Sequence, residues 1–209
     1  ATEGPSRAGG KLGAFEEEMQ HLEQWAWGRC DLLVLTIHWG DNWVRDTQPA
    51  HREMARIAFD HGVDLILGHS AHRLQGIELM GGKPVVYDMG NLLFDCELQP
   101  EGRRSALFRL HLSPKGVHRI EVIPAQALEG HTVLARSPEA NEVLAEMRDL
   151  CSALGTDLIV EEDIEGRPVG VIDIPGPRAT WRSRPRLGKD HMAQPPPAGE
   201  RTRGPAAPG

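Results

Sequence analysis

Apolar residues first recur with a helical period: Phe15, Met19, Leu22, Trp25 and Ala26 are spaced by three or four, or adjoin. Residues 14–27 therefore predict an amphipathic helix that stops near Gly28. The period then changes. Residues 31–37, DLLVLTI, form a short apolar run rich in Leu, Val and Ile, the pattern of a strand covered on both faces. Pro49 can open a second helix with Met54, Ile57 and Ala58 on its apolar stripe, and Gly62 ends it. VDLIL at 63–67 is a second buried strand. Strand, helix and strand in this order predict a right-handed βαβ unit with parallel pairing.

Beyond it the pattern shortens. GIEL, KPVVYDM, ALFRLHL and VHRIEVI are strand-like segments split by Gly81-Gly82, by a charged loop at 96–105 and by Pro114-Lys115-Gly116. Phe108, Leu110 and Leu112 alternate with Arg109 and His111, which predicts a strand with one wet face. Val143, Met147, Leu150 and Leu154 mark a last helix over about 138–154. No internal repeat is visible.

Composition sets the bounds. With 209 residues and 40% hydrophobic content, the chain can bury one sizeable core. No run reaches the roughly 18 apolar residues of a membrane span. The opening residues 1–13 read as a flexible segment without the apolar stretch of a signal peptide, so the default compartment is the cytoplasm. Residues 176–209 are rich in Pro, Gly and Arg and predict a disordered tail, in which seven basic residues face Asp190 and Glu200. That tail carries a net +5, so residues 1–175 hold −12 of the total −7. An acidic body argues against a nucleic-acid surface. The three cysteines, Cys30, Cys96 and Cys151, form no CxxC pair, and they read as idle or buried thiols.

The chemistry collects at strand ends. His38 closes the first apolar run in DLLVLTIHWGDNW, and His69 and His72 follow the second in GHSAH. The carboxyl ends of parallel strands are where α/β sheets bind ligands, so the three imidazoles are expected to converge. Were the GHSAH turn helical, His69 and His72 would face one ion together. The loop YDMGNLLFD adds Asp88, Asn91 and Asp95, and Asp41 could orient an imidazole through a hydrogen bond. Imidazole with carboxylate or amide oxygen is a donor set for Zn, Mn or Fe, and two such ions can clamp a phosphate. Each residue also has a plainer reading: hydrogen-bonded loop histidines, Asn91 as a turn residue, Asp88 and Asp95 solvated. Trp39, Trp43 and Tyr87 read as local packing. His51, His61, His111 and His118 need only surface or pairing roles.

Taken together, HWG, then GH-x-x-H, then IE, then KPVVY and GN resemble the C-terminal half of the CapA family of capsule and poly-gamma-glutamate synthesis. The likeness covers roughly residues 14–125. It implies the C-terminal part of a metallophosphatase-like α/β sandwich of four layers (αββα), with residues 14–175 as one domain. It also implies a metal-dependent hydrolase or transferase acting on a phosphoester or polyglutamate-like substrate. His38, His69 and His72 correspond to the family's metal-ligand histidines and Asn91 to the position after its YxxG. Many members carry a further histidine where Ser70 stands and a proline where Ala71 stands, so positions 69 and 70 compete for one ligand role. The family's opening GD, NLE and asparagine-histidine segments have no counterpart in residues 1–30. The chain is thus expected to be a truncated member, to self-associate through an exposed sheet edge, and to act weakly alone, or else to be a non-catalytic accessory or binding protein or an inactive remnant of the family.

Overall fold

The computed structural model describes residues 5–94, 99–113 and 116–175, with side chains in the first helix from Lys11 onward. Helix α1 (Pro5–Ala26) leads through a turn at Gly28 into strand β1 (Val34–His38). Helix α2 (Pro49–Asp60) has proline in its first turn, where the missing N–H costs nothing. Strand β2 (Leu65–His69) follows and pairs parallel with β1, as the βαβ pattern requires. A hairpin of β3 (Ile77–Met80) and β4 (Lys83–Val86) turns through Gly81 and Gly82, both at positive φ. Such a two-residue turn matches the twist of the strands it joins. The first sheet has the order β1-β2-β4-β3, with β4 parallel to β2.

The second sheet is antiparallel. After the short helix α3 (Pro100–Arg103) come β5 (Arg104–Ser113), β6 (Gly116–Leu128) and β7 (His131–Leu134), then helix α4 (Glu139–Ser152) and a hairpin of β8 (Ile159–Glu162) and β9 (Pro168–Asp173). The order is β5-β6-β9-β8, and β7 pairs with β6.

Alternation along the first sheet divides the interior in two. Ile66, Val85 and Tyr87 point toward α1 and α2, where they pack with Phe15, Met19, Trp39, Ala55 and Ala58. Leu65, Ile77 and Val86 point the other way, onto Met147 and Leu150 of α4 and Ile120, Val122 and Ile172 of the second sheet. Each fully buried aliphatic side chain contributes about 1.5–3 kcal/mol. Under the sheet, Arg52 grips Glu78 with two guanidinium nitrogens and the Tyr87 hydroxyl donates to the same carboxylate at 2.7 Å. Burial and that carboxylate push the Tyr87 phenol well above its ordinary range.

Several expectations need correcting. The first helix begins at Pro5 rather than at 14. The first strand starts at Val34 because Leu33 donates its N–H to the Asp64 side chain instead of a ladder partner. The periodic pattern missed β7, β8 and β9. Phe108 and Leu110 pack on the core, but Leu112 is 52% exposed, because a register shift after His111 breaks the alternation. The wet face of this sheet is an ion-pair network: Glu121 meets Arg109 and His111, and Arg119 meets Glu161 and Asp173. His61 pairs with Glu23. Cys151 is buried and accepts from the Ile77 amide, whereas Cys96 lies outside the described residues, as do residues 176–209. Among the described residues no helix is long and apolar enough to cross a membrane. Among the described residues strand β1 ends its sheet, and Val34, Thr36 and His38 are exposed on one face of it.

Candidate functional site

Parallel pairing of β1 with β2 puts His38 directly across from His69. Two residues opposite each other in a ladder project from the same face. Their rings meet edge to face, with centroids 5.0 Å apart and the two Nδ1 atoms 3.0 Å apart. At that distance only one of the two nitrogens can carry a proton, and the other must offer its lone pair.

The residues beside these histidines hold them in place. Trp39 is buried between His51, stacked at 4.9 Å, and Tyr87 at 5.8 Å, and its indole N–H donates to the Tyr87 carbonyl at 2.8 Å. Gly68 lies flat against this lock: a Cβ there would stand 2.1 Å from the Tyr87 carbonyl oxygen and 2.5 Å from the Trp39 indole nitrogen. Gly40, at φ +84, passes equally close to the His51 ring. His51 is 6% exposed, and burial holds its imidazole below the ordinary range despite the nearby Asp41. His51 is therefore no surface residue. The signal was available: it shares the i, i+4, i+7 stripe with Ala55 and Ala58.

The GHSAH turn is not helical. Ser70 has φ 136° and His72 φ 57°, so His69 and His72 leave the strand in different directions. Ser70 donates its hydroxyl to the Gly40 carbonyl, tying the two loops together. Asp88, 1% exposed, accepts from the amides of Ala71 (2.6 Å) and Gly90 (2.8 Å). Burial raises its pKa, while those amides and the neighbouring His69 and His72 oppose the rise. His72 sets its Nδ1 2.8 Å from Asn91 Oδ1, and the Asn91 amide donates to the carbonyls of His72 and Gly102. Asn91 thus accepts from Nδ1–H and leaves His72 Nε2 with its lone pair. Trp43 stacks on His72 at 5.6 Å, and Phe94 meets the same ring edge to face at 5.4 Å.

Of the residues expected at this edge, His38 and His69 come together, and Asp88 lies within electrostatic reach of His69 and His72. His72 is engaged with Asn91. Asp41 is exposed and acts on His51, and Asp95 lies outside the described residues. Trp39 and Tyr87 are packing residues, as expected, but Trp43 is 47% exposed. Among the described residues, the three non-glycine residues at positive φ are Trp43, Ser70 and His72, all in these two loops. Such conformations cost on the order of 1–3 kcal/mol each and collect at functional sites.

A divalent ion can be tested against this geometry. Metal–nitrogen distances are about 2.1 Å, so two Nδ1 atoms 3.0 Å apart can both reach one ion. Among the described residues no group of three or more His, Cys, Asp or Glu side chains is placed to hold one. The pair therefore fits as part of a ligand set, and the described residues do not complete it.

Comparison with known proteins bears on the same loops. Residues 5–96 match the profile of the family described as bacterial capsule synthesis protein PGA_cap. The chain is 38% identical over 95 residues to the PGA biosynthesis protein CapA of Bacillus subtilis (strain 168), covering 46% of this chain and 25% of that protein. It is 32% identical over 103 residues to the capsule biosynthesis protein CapA of Bacillus anthracis, covering 49% of this chain and 25% of that one. A probable polyglutamine synthesis accessory protein of Mycobacterium tuberculosis is 37% identical over 67 residues, 32% of this chain and 18% of the relative. The matched segment spans a quarter or less of each of these relatives. Over residues 5–96, a little under half of the chain, this protein is thus similar to the PGA_cap (CapA) family of bacterial capsule synthesis proteins.

Proposed function

We propose that this chain works in capsule or poly-gamma-glutamate biosynthesis as the metal-bearing part of a hydrolase or transferase. Its two sheets, with helices on the first and α4 against the second, belong in this reading to a metallophosphatase-like αββα sandwich whose domain runs over residues 14–175. The observation that supports it most is the His38–His69 pair, with facing Nδ1 atoms 3.0 Å apart. These two nitrogens would hold one ion of Mn, Zn or Fe, while His72, turned away from the pair and bound to Asn91, stands outside that donor set. Such an ion, when bound, supplies Lewis-acid polarisation of a phosphoryl or carbonyl oxygen. The residues of the chain itself orient: Asn91 fixes the His72 tautomer, Asp88 pins the 70–72 turn by two backbone amides, and Trp39 with Gly68 fixes the spacing of His38 and His69.

A second reading is a non-catalytic accessory protein that binds the polymer without turning it over. It is favoured by the incomplete donor set among the described residues. Metal content and turnover separate the two. Purified chain loaded with Mn or Zn should retain about one ion, His38→Ala should lose it, and a phosphodiester or γ-glutamyl substrate should be cleaved only by the loaded form. Retained metal without turnover on either substrate supports the accessory role. An unchanged metal content in His38→Ala removes His38 from the ligand set.

A further inference from the structure

Among the described residues at this edge, Trp43 is a large side chain whose position the core does not explain. Its ring belongs to neither buried cluster and is 47% exposed. Yet it sits at φ 66°, a region that bulky residues avoid. The strain is held from both sides: the Trp43 amide donates to the Ala71 carbonyl at 2.7 Å, and Gln75 donates to the carbonyl of the next residue, Val44, at 2.8 Å. Glycine or asparagine would make this turn at lower cost. An indole therefore stands where only a turn is needed, with one face against His72 and much of the remainder open.

The surroundings of the ring indicate what it could receive. His72 touches both Trp43 and Phe94, and Asn91 binds His72. Leu92 and Leu93 run between Asn91 and Phe94 and are 46% and 70% exposed. Exposed apolar surface thus adjoins polar groups on both sides of the His72–Asn91 hydrogen bond: Trp43 stacks on His72, and Leu92 and Leu93 follow Asn91 in the chain. A γ-linked glutamyl chain has the matching alternation, with two backbone methylenes and one carboxylate in every unit. We propose that Trp43 is a substrate platform, stacking on the methylene segment of a γ-glutamyl chain while the adjacent carboxylate faces the His38–His69 pair. This rests on the proposed function and adds the residue that selects the polymer.

The test is calorimetric titration of the full chain, with Mn present, by a γ-linked glutamate decamer. Wild type should bind. Trp43→Ala should weaken the Kd about ten-fold and Trp43→Phe less than about three-fold, the scale of one aromatic contact. Trp43→Leu, which keeps an apolar side chain without a flat ring, should fall near the alanine variant and serves in its place if Trp43→Ala fails to fold. Mn affinity should be the same in all of them, which a general collapse of the loop would not allow. Equal decamer affinity in wild type, Trp43→Leu and Trp43→Ala would overturn the platform while leaving the proposed function intact. Absence of decamer binding by wild type that retains Mn would overturn the platform alone, whereas wild type that retains no Mn would overturn the proposed function. Trp43-dependent binding of a neutral glucan instead of the decamer would reassign the platform to carbohydrate and reject the γ-glutamyl assignment.

Discussion

Replacing Gly68 with alanine tests the lock beneath the two histidines. The new Cβ would stand 2.1 Å from the Tyr87 carbonyl oxygen and 2.5 Å from the Trp39 indole nitrogen. Neither is the loose end of a flexible side chain, since one is backbone and the other belongs to a ring stacked on both sides. Relief requires β2 to move away from β4, or Trp39 to give up its 2.8 Å hydrogen bond to Tyr87. Overpacking costs about 1–3 kcal/mol and the lost hydrogen bond roughly 1 more. The expected destabilisation is about 2–4 kcal/mol, a large part of the 5–15 kcal/mol that typically separates folded from unfolded chains. Urea unfolding with a tryptophan fluorescence readout measures it. Gly13→Ala is the control: it lies in α1 with nothing within 4 Å of the added Cβ, and should stabilise by up to about 1 kcal/mol. Because His69 follows Gly68 and His38 precedes Trp39, Gly68→Ala should also weaken metal binding in whatever fraction remains folded. A Gly68→Ala midpoint within about 0.5 kcal/mol of wild type would refute the claim that this contact fixes the pair.

Two further outcomes follow from burial. The folded state holds His51 neutral below its ordinary pKa of 6.5, so its contribution to stability is complete above that value and is lost as pH falls through it. Stability measured in urea at pH 7.5 and pH 5 should fall less between the two in His51→Phe than in wild type. An identical pH slope in the two proteins would show that His51 is not the group responsible. Burial pushes the Cys151 thiol up to about 11, and its sulfur accepts from Ile77. At pH 8 it should resist a thiol reagent until the protein unfolds, and mass spectrometry of the labelled peptide would detect any native-state reaction.

The βαβ core was legible because its signals are local and agree: Pro49 and Gly62 bound a helix whose stripe faces a sheet of continuous Leu, Val and Ile. Parallel pairing then fixed which strand ends face each other, and His38 opposite His69 follows from that register alone. The final hairpin was less legible. Ile159 and Val160 are both about half exposed and Gly170 interrupts β9, so neither strand shows the clean alternation that marks a wet-faced sheet. Gly170 is required by close packing, since a Cβ there would meet Leu158 and Leu144, residues distant in sequence. The separation of His72 from His69 was invisible for a related reason. Spacing of three permits a shared face only in helical backbone, and the positive φ of Ser70 and His72 is imposed by Asp88 and Gly40 from other loops. The buried role of His51 could have been read from its stripe; its stacking on Trp39 could not, because that contact joins two elements.

Joint binding of one ion by His38 and His69 can be read from their ring nitrogens by NMR. Protein with 15N-labelled histidine is titrated with Zn, and the Nδ1 resonances of the two residues are followed. Both resonances are expected to shift together and saturate at about one ion per chain, and His38→Ala to abolish the shift at His69. Independent titration of the two rings, or an unaltered His69 response in His38→Ala, would contradict joint binding.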